Sequence, residues 1–151
     1  MEIKCLPNIC LRKKAAKVLN VTDDERQILD EMAKTMYLKS GVGLAACQVG
    51  IGKQLAVVDI GAGLLKLINP VITKKEGAEA QEEGCLSVPE AAVKVKRAKK
   101  IVVEYIDEQG GARRLIAEGL LARVIQHEAD HLAGRLIIDY LKPLKDSSFA
   151  A

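Results

Sequence analysis

The chain has 151 residues, long enough for one domain with a buried core. Its 49% hydrophobic and 28% charged residues suit a folded chain rather than a disordered one, and a net charge of +3 admits an anionic partner without requiring one. With 3% aromatic residues and no Trp, the core must rest on Leu, Ile, Val and Ala, and no apolar run approaches the roughly 20 residues of a membrane-spanning helix.

The opening "MEIKCLPNIC" lacks the apolar h-region and cleavage pattern of a secretory leader. The expected setting is therefore a reducing cytoplasm, where Cys5, Cys10, Cys47 and Cys85 are buried, reactive or metal-bound rather than paired. Thr22 to Lys39 predicts an amphipathic helix: Thr22 with Glu25 forms a capping box, and Ile28, Leu29, Met32 and Met36 recur at helical spacing. Ser40-Gly41 ends it. A Gly-rich stretch, "GVGLAACQVGIG", precedes an apolar strand from Leu55 to Ile60.

"LLKLINPVITKK" predicts a strand interrupted at Asn69-Pro70, because Pro cannot donate to a ladder. The polar stretch "EGAEAQEE" leads into "GCLSVPE". Val93 and Val95 alternate with Lys94 and Lys96, as in a half-exposed strand, and "KVKRAKK" is expected to be its solvated face rather than a nucleic-acid surface. "KIVVEYID", "EQGG" and "ARRLIA" make a hairpin. A second helix is expected from Gly119 to Leu132, and a short strand, "LIIDYL", precedes Pro143. Residues 144–151 are expected to be frayed. The pattern is one α+β domain over residues 1–151, with neither repeat nor linker.

The only two histidines fall in "RVIQHEADHLAG", where His127, Glu128 and His131 match H-E-x-x-H. On a helix the two imidazoles project from one face and can chelate a single ion. Leu120, Leu121, Val124, His127, Glu128 and His131 share that face, whereas Ala122, Gln126 and Ala129 are expected to point away. Asp130 reads as solvated.

A catalytic ion of this kind takes three protein ligands and an open position. No third histidine exists, and no glutamate follows Glu128. Downstream, Asp139 and Asp146 stay open. Upstream stand carboxylates and the four cysteines, among them Cys85 behind Gly84. A thiolate with two imidazoles suits zinc or ferrous iron. Spacing alone does not choose between Cys85 and Cys47.

Three segments in order, "GVGLAACQVG" (Gly41 to Gly50), "EGCLS" (Glu83 to Ser87) and "QHEADH" (Gln126 to His131), resemble the signature motifs of the peptide deformylases. The likeness extends to "LINP" and "GLLARVIQHE". It implies an α+β fold with mixed or antiparallel sheets packed around a central helix that carries H-E-x-x-H.

The resemblance implies that Cys85, His127 and His131 bind one divalent metal ion, natively ferrous iron, with zinc or nickel in purified protein. It implies hydrolysis of the N-formyl group from the initiator N-formylmethionine of new polypeptides, releasing formate. Glu128 is then the general base, and Gln48 and the Leu86 backbone N–H are the oxyanion donors. Gly41 and Gly43 let an extended substrate lie close. Gly43, Val42, Leu120 and Val124 are the expected substrate-binding residues, and Glu83 with Arg97 forms an ion pair behind the site.

Cys47 stands where the family often has Pro or Thr, next to Gln48, as a second oxidisable thiol near the metal. The expected partners are formylmethionyl peptides, with no membrane and no specific nucleic acid. Many members continue into a C-terminal helix that docks on the ribosome. The end of this chain puts that transient contact in question.

Overall fold

The structure is a computed structural model and describes residues 1–141. The expected frayed tail, residues 144–151, and Asp146 within it lie outside the described residues.

Helix α1 (Asp23–Leu38) starts as expected. Thr22 Oγ1 accepts from the Asp24 N–H, and Glu25 Oε1 accepts from the Thr22 N–H at 2.8 Å, closing the capping box. Leu29, Met32 and Met36 are fully buried and pack on the five-stranded sheet through Leu44, Leu55 and Val57.

That sheet contains β1 (Gly43–Ala45), β2 (Leu55–Val58), β3 (Leu65–Glu76), β6 (Lys100–Ile106) and β7 (Ala112–Glu118), in the order β1-β2-β3-β6-β7. Every neighbouring pair is antiparallel. The expected β6–β7 hairpin is present, its turn held by Asp107, which accepts from the N–H groups of Gln109 and Gly111.

A second sheet pairs β4 (Glu79–Cys85) with β5 (Val88–Arg97). On β5, Val93 and Val95 are buried while Lys94 and Lys96 are exposed, as their alternation requires. Helix α2 (Gly119–Leu132) packs on the first sheet through Ala122, Val124 and Ile125 against Val58, Ile101 and Val103. The fold is thus mixed α+β with antiparallel sheets.

The sequence left one stretch unassigned, and three expectations are corrected. The polar stretch before Cys85 is strand β4: all its residues from Glu79 to Gly84 are exposed except Glu83. The strand through Asn69-Pro70 is not broken. It bulges, with a register shift between Ile68 and Val71, and Asn69 adopts a left-handed φ of 52°. The Asn69 side chain anchors the bulge by accepting from the Val18 N–H and donating to the Val18 carbonyl.

"LIIDYL" is not a strand. Ile137–Tyr140 forms a 3-10 turn in which Asp139 accepts from the Leu136 N–H. Finally, Ala122 and Gln126 do not face solvent. Both are buried, and Gln126 satisfies its amide by bonding the N–H and carbonyl of Ala98 and the carbonyl of Ala122. Leu120, assigned to the core stripe, is instead 53% exposed.

Candidate active site

Three elements deliver the chemistry. Helix α2 carries His127, Glu128 and His131. Strand β4 ends at Cys85, and the short loop to β5 holds Leu86 and Ser87. A 3-10 turn after β1, Ala46–Val49, presents Gln48. Together they line a cleft of about 470 Å³, with Val42, Gly43, Gln48, Cys85, Leu86 and Glu128 among its walls.

The cleft brings one sulfur and two imidazoles together. Cys85 Sγ lies 3.3 Å from His131 Nε2, which lies 3.2 Å from His127 Nε2. Around a tetrahedral zinc with Zn–N of about 2.1 Å and Zn–S of about 2.3 Å, donor atoms stand about 3.3–3.6 Å apart. Cys85, His127 and His131 therefore fit a single metal ion, and their donor atoms all fall within 4.8 Å of one another.

Electrostatics agree with a cation here. Burial pushes the His127 imidazolium down, but its contacts with Cys85 and Glu83 and the charge of Glu128 outweigh that and lift it to about 10. Burial, then the charges of His127 and Arg97, drops His131 to about 3. Glu83 and Glu128 thus favour positive charge at the His127 end of the cluster.

Glu128 belongs to the site but not to the donor triangle. It is 3% exposed, and its Oε1 has no hydrogen-bond partner among the described residues. Burial raises its carboxyl to about 7, and the charges of His127 and Arg97 only partly oppose this. A carboxylate poised near neutrality is suited to accept a proton and return it.

Behind His127 lies an ion network that the sequence showed only in part. Glu83 is paired with Arg97 through two bonds of 2.9 Å, as expected. It also accepts from Arg123 Nη1 at 2.7 Å and stands 2.9 Å from His127 Nδ1. Burial alone would raise the Glu83 carboxyl, but Arg97, His127 and Arg123 hold it at about 2. Glu83 is therefore ionised, and His127 Nδ1–H donates to it. That leaves Nε2 as the ring nitrogen that faces the donor triangle.

Asp130 is not simply solvated. It accepts from Arg97 Nη1 at 2.6 Å and from the Tyr140 hydroxyl at 2.6 Å. Arg123 and Tyr140 were given no role from the sequence. The available signal was an arginine inside the apolar stripe of "GLLARVIQHE".

The remaining expected residues separate by depth. Val124 is buried at the cleft floor, whereas Val42 and Leu120 are exposed at its rim. Asp139 is not at the site: both its carboxylate oxygens accept from Arg12 Nη1. Cys47 is also absent from the donor triangle. Its thiol is 2% exposed and donates to the His131 carbonyl at 3.2 Å, while burial, with the charge of Glu128, raises it to about 12. Its burial thus favours the protonated thiol.

The polypeptide deformylase family model matches residues 1–147. The chain belongs to the polypeptide deformylase family. A peptide deformylase of Thermoanaerobacter pseudethanolicus is 51% identical over 129 residues, covering 85% of this chain and 81% of its own. The peptide deformylase of Synechococcus elongatus in complex with actinonin superposes with a TM-score of 0.91 at 44% identity, covering 99% of this chain and 82% of that one. The Thermotoga maritima peptide deformylase gives 0.91 at 43% identity, over 94% and 97% of the two chains. Membership of this metalloenzyme family and the donor triangle agree. Among the described residues, no helix is long and apolar enough to cross a membrane.

Proposed function

We propose that the chain removes the N-formyl group from the initiator N-formylmethionine of new polypeptides and releases formate, using one divalent ion held by Cys85, His127 and His131. In this reading α2 is the centre of the fold. It packs on the first sheet, and Arg123 reaches from it to the Val95 and Glu79 carbonyls of the second.

The ion, when bound, supplies a hydroxide at neutral pH by lowering the pKa of water. Glu128 takes that water's proton and delivers one to the leaving amine. Gln48 Nε2–H and the Leu86 N–H donate to the oxyanion that develops on the formyl carbon's oxygen. Val42, Leu120 and Val124 hold the methionine side chain, and Gly43 gives the substrate backbone room to lie beside β1. Ferrous iron is the native ion, with zinc or nickel able to replace it. The cytoplasm is the site of action: the four cysteines are unpaired, and new polypeptides are made there.

The observation that carries this reading is Glu128, a buried carboxylate with an unpartnered oxygen beside a three-donor cluster. Glu128→Ala is expected to keep its metal and lose about 10²–10⁴ in kcat. Normal turnover by that variant would remove Glu128 as the base. An iron-loaded sample is expected to lose activity in air faster than a nickel-loaded one, and equal decay would count against iron.

A further inference from the structure

We infer that Ser87 is a positioning residue for the reaction: its hydroxyl aims the Gln48 side-chain amide at the oxyanion. The inference rests on the role proposed for Gln48 and adds how that amide is held.

Gln48 is 2% exposed and Ser87 fully buried, so neither is oriented by solvent. The amide is fixed at both ends. Oε1 accepts from the Ala45 N–H at 2.9 Å, and Nε2 donates to Ser87 Oγ at 3.1 Å. The Ala45 donor also settles the amide's flip, because only an oxygen can accept there. One Nε2 proton is thereby spent on Ser87, and the second faces the cleft, where its long 3.8 Å contact with Cys85 Sγ can give way to a stronger acceptor.

Without Ser87 Oγ, the amide is anchored at Oε1 alone. The other acceptor near Nε2 is Cys85 Sγ, at 3.8 Å. A proton drawn to that sulfur is a proton withdrawn from the oxyanion. With Ser87 in place the Nε2–Sγ contact stays long, at 3.8 Å, so the amide is not drawn fully onto the sulfur.

The backbone keeps this pair in register. Gln48 and Ser87 come from separate segments, and one extended stretch near the N-terminus bonds both. The Lys4 N–H donates to the Gln48 carbonyl at 2.7 Å, and the Leu6 N–H donates to the Ser87 carbonyl at 3.1 Å. Cys5, between them, donates its thiol to the Leu86 carbonyl at 3.7 Å. The stretch ties the turn bearing Gln48 to the loop bearing Leu86 and Ser87. Both proposed oxyanion donors are therefore braced from one side, which is the preorganisation such donors need.

A double-mutant cycle on metal-loaded protein tests this, with formate release from a formyl-Met peptide as the readout. Ser87→Ala is expected to lower kcat at least about tenfold, with KM within about twofold and metal content unchanged. In a Gln48→Ala background the same substitution is expected to add nothing, since the amide it aims is gone. Unchanged kcat, or losses that multiply, would overturn the inference. An inactive wild-type protein would instead overturn the proposed function, so the two failures are distinguishable. Should Ser87→Ala not fold, the wild-type protein decides by NMR. The two Gln48 Nε2 protons are expected to give separate signals, one protected from solvent exchange and one exchanging readily. Equal behaviour of the two would sink the inference.

Discussion

The Glu128 carboxylate lies against the backbone of Gly43, in the space a side chain on β1 would fill. A Cβ built at Gly43 would collide with Glu128 Oε2 and stand 2.9 Å from Val124 Cγ1. Gly43 is not needed for a left-handed turn, since its φ is not positive. It is needed because the Glu128 carboxylate and the Val124 side chain already occupy that volume.

Gly43→Ala is therefore expected to displace the Glu128 carboxylate and lower kcat by about tenfold to a hundredfold, a general base being worth about 10²–10⁴ when correctly placed. Metal content should not change, because Cys85, His127 and His131 are untouched. Formate-release kinetics with metal analysis check both; unaltered kcat would show that Glu128 tolerates the shift.

Glu83 orients the His127 ring, Arg97 and Arg123 hold Glu83, and Asp130 and Tyr140 in turn hold Arg97. Glu83→Gln is expected to weaken metal binding by about 10–100-fold, the usual cost of losing a carboxylate behind a ligating histidine. Tyr140→Phe removes a hydrogen bond to Asp130 one step further out and is expected to cost less. Competitive titration of the metal-free variants with Co(II) ranks them; Tyr140→Phe weakening metal more than Glu83→Gln would reverse the order proposed.

Asp139 and Cys85 stood as rival third ligands before the structure separated them. Asp139→Asn is expected to leave metal content unchanged and to cost at most about 1 kcal/mol, as a partly exposed pair with Arg12. Cys85→Ser is expected to lose most of its metal. Metal analysis of the two purified variants tests this, and metal loss from Asp139→Asn would restore the rival.

Acid sensitivity should arise in part at the start of α1. Bonds from Lys53, then from the Thr22 side chain and backbone, hold the Glu25 carboxyl at about 2, below its ordinary 4.5, against the opposing effect of burial. Because the folded value is the lower one, this contribution is present above pH 4.5 and is lost as the pH falls towards 2. Glu25→Gln should be less stable than wild type at neutral pH, by about 1 kcal/mol or more. The gap should close towards pH 2. Denaturant unfolding across that range measures it, and a gap that persisted unchanged to pH 2 would contradict it.

How much of this was legible in the sequence depended on whether the signal was local. Helix α1 could be read because its cap, its apolar spacing and its stop all lie within one segment. The two histidines of the donor cluster could be read because they sit one turn apart on α2. Strand β4 could not, since its partner β5 supplies all its ladder bonds and its one buried residue, Glu83, is a carboxylate. The apolar "LIIDYL" mimicked a strand, but Asp139 caps the Leu136 N–H and turns the chain. Gln126 looked solvent-facing because its burial is balanced by bonds to Ala98, which no periodicity reveals. The fit of Gly43 over Glu128 joins residues far apart in the chain and appears only in three dimensions.

The central claim is that this donor cluster and its base act on a formyl group. Formate release from an N-formyl-Met peptide, measured with bound metal quantified in the same sample, tests it most directly. Stoichiometric divalent metal, catalytic release of formate and intact internal peptide bonds are the predicted result. A metal-loaded protein that releases no formate, or that cleaves internal peptide bonds instead, would contradict it.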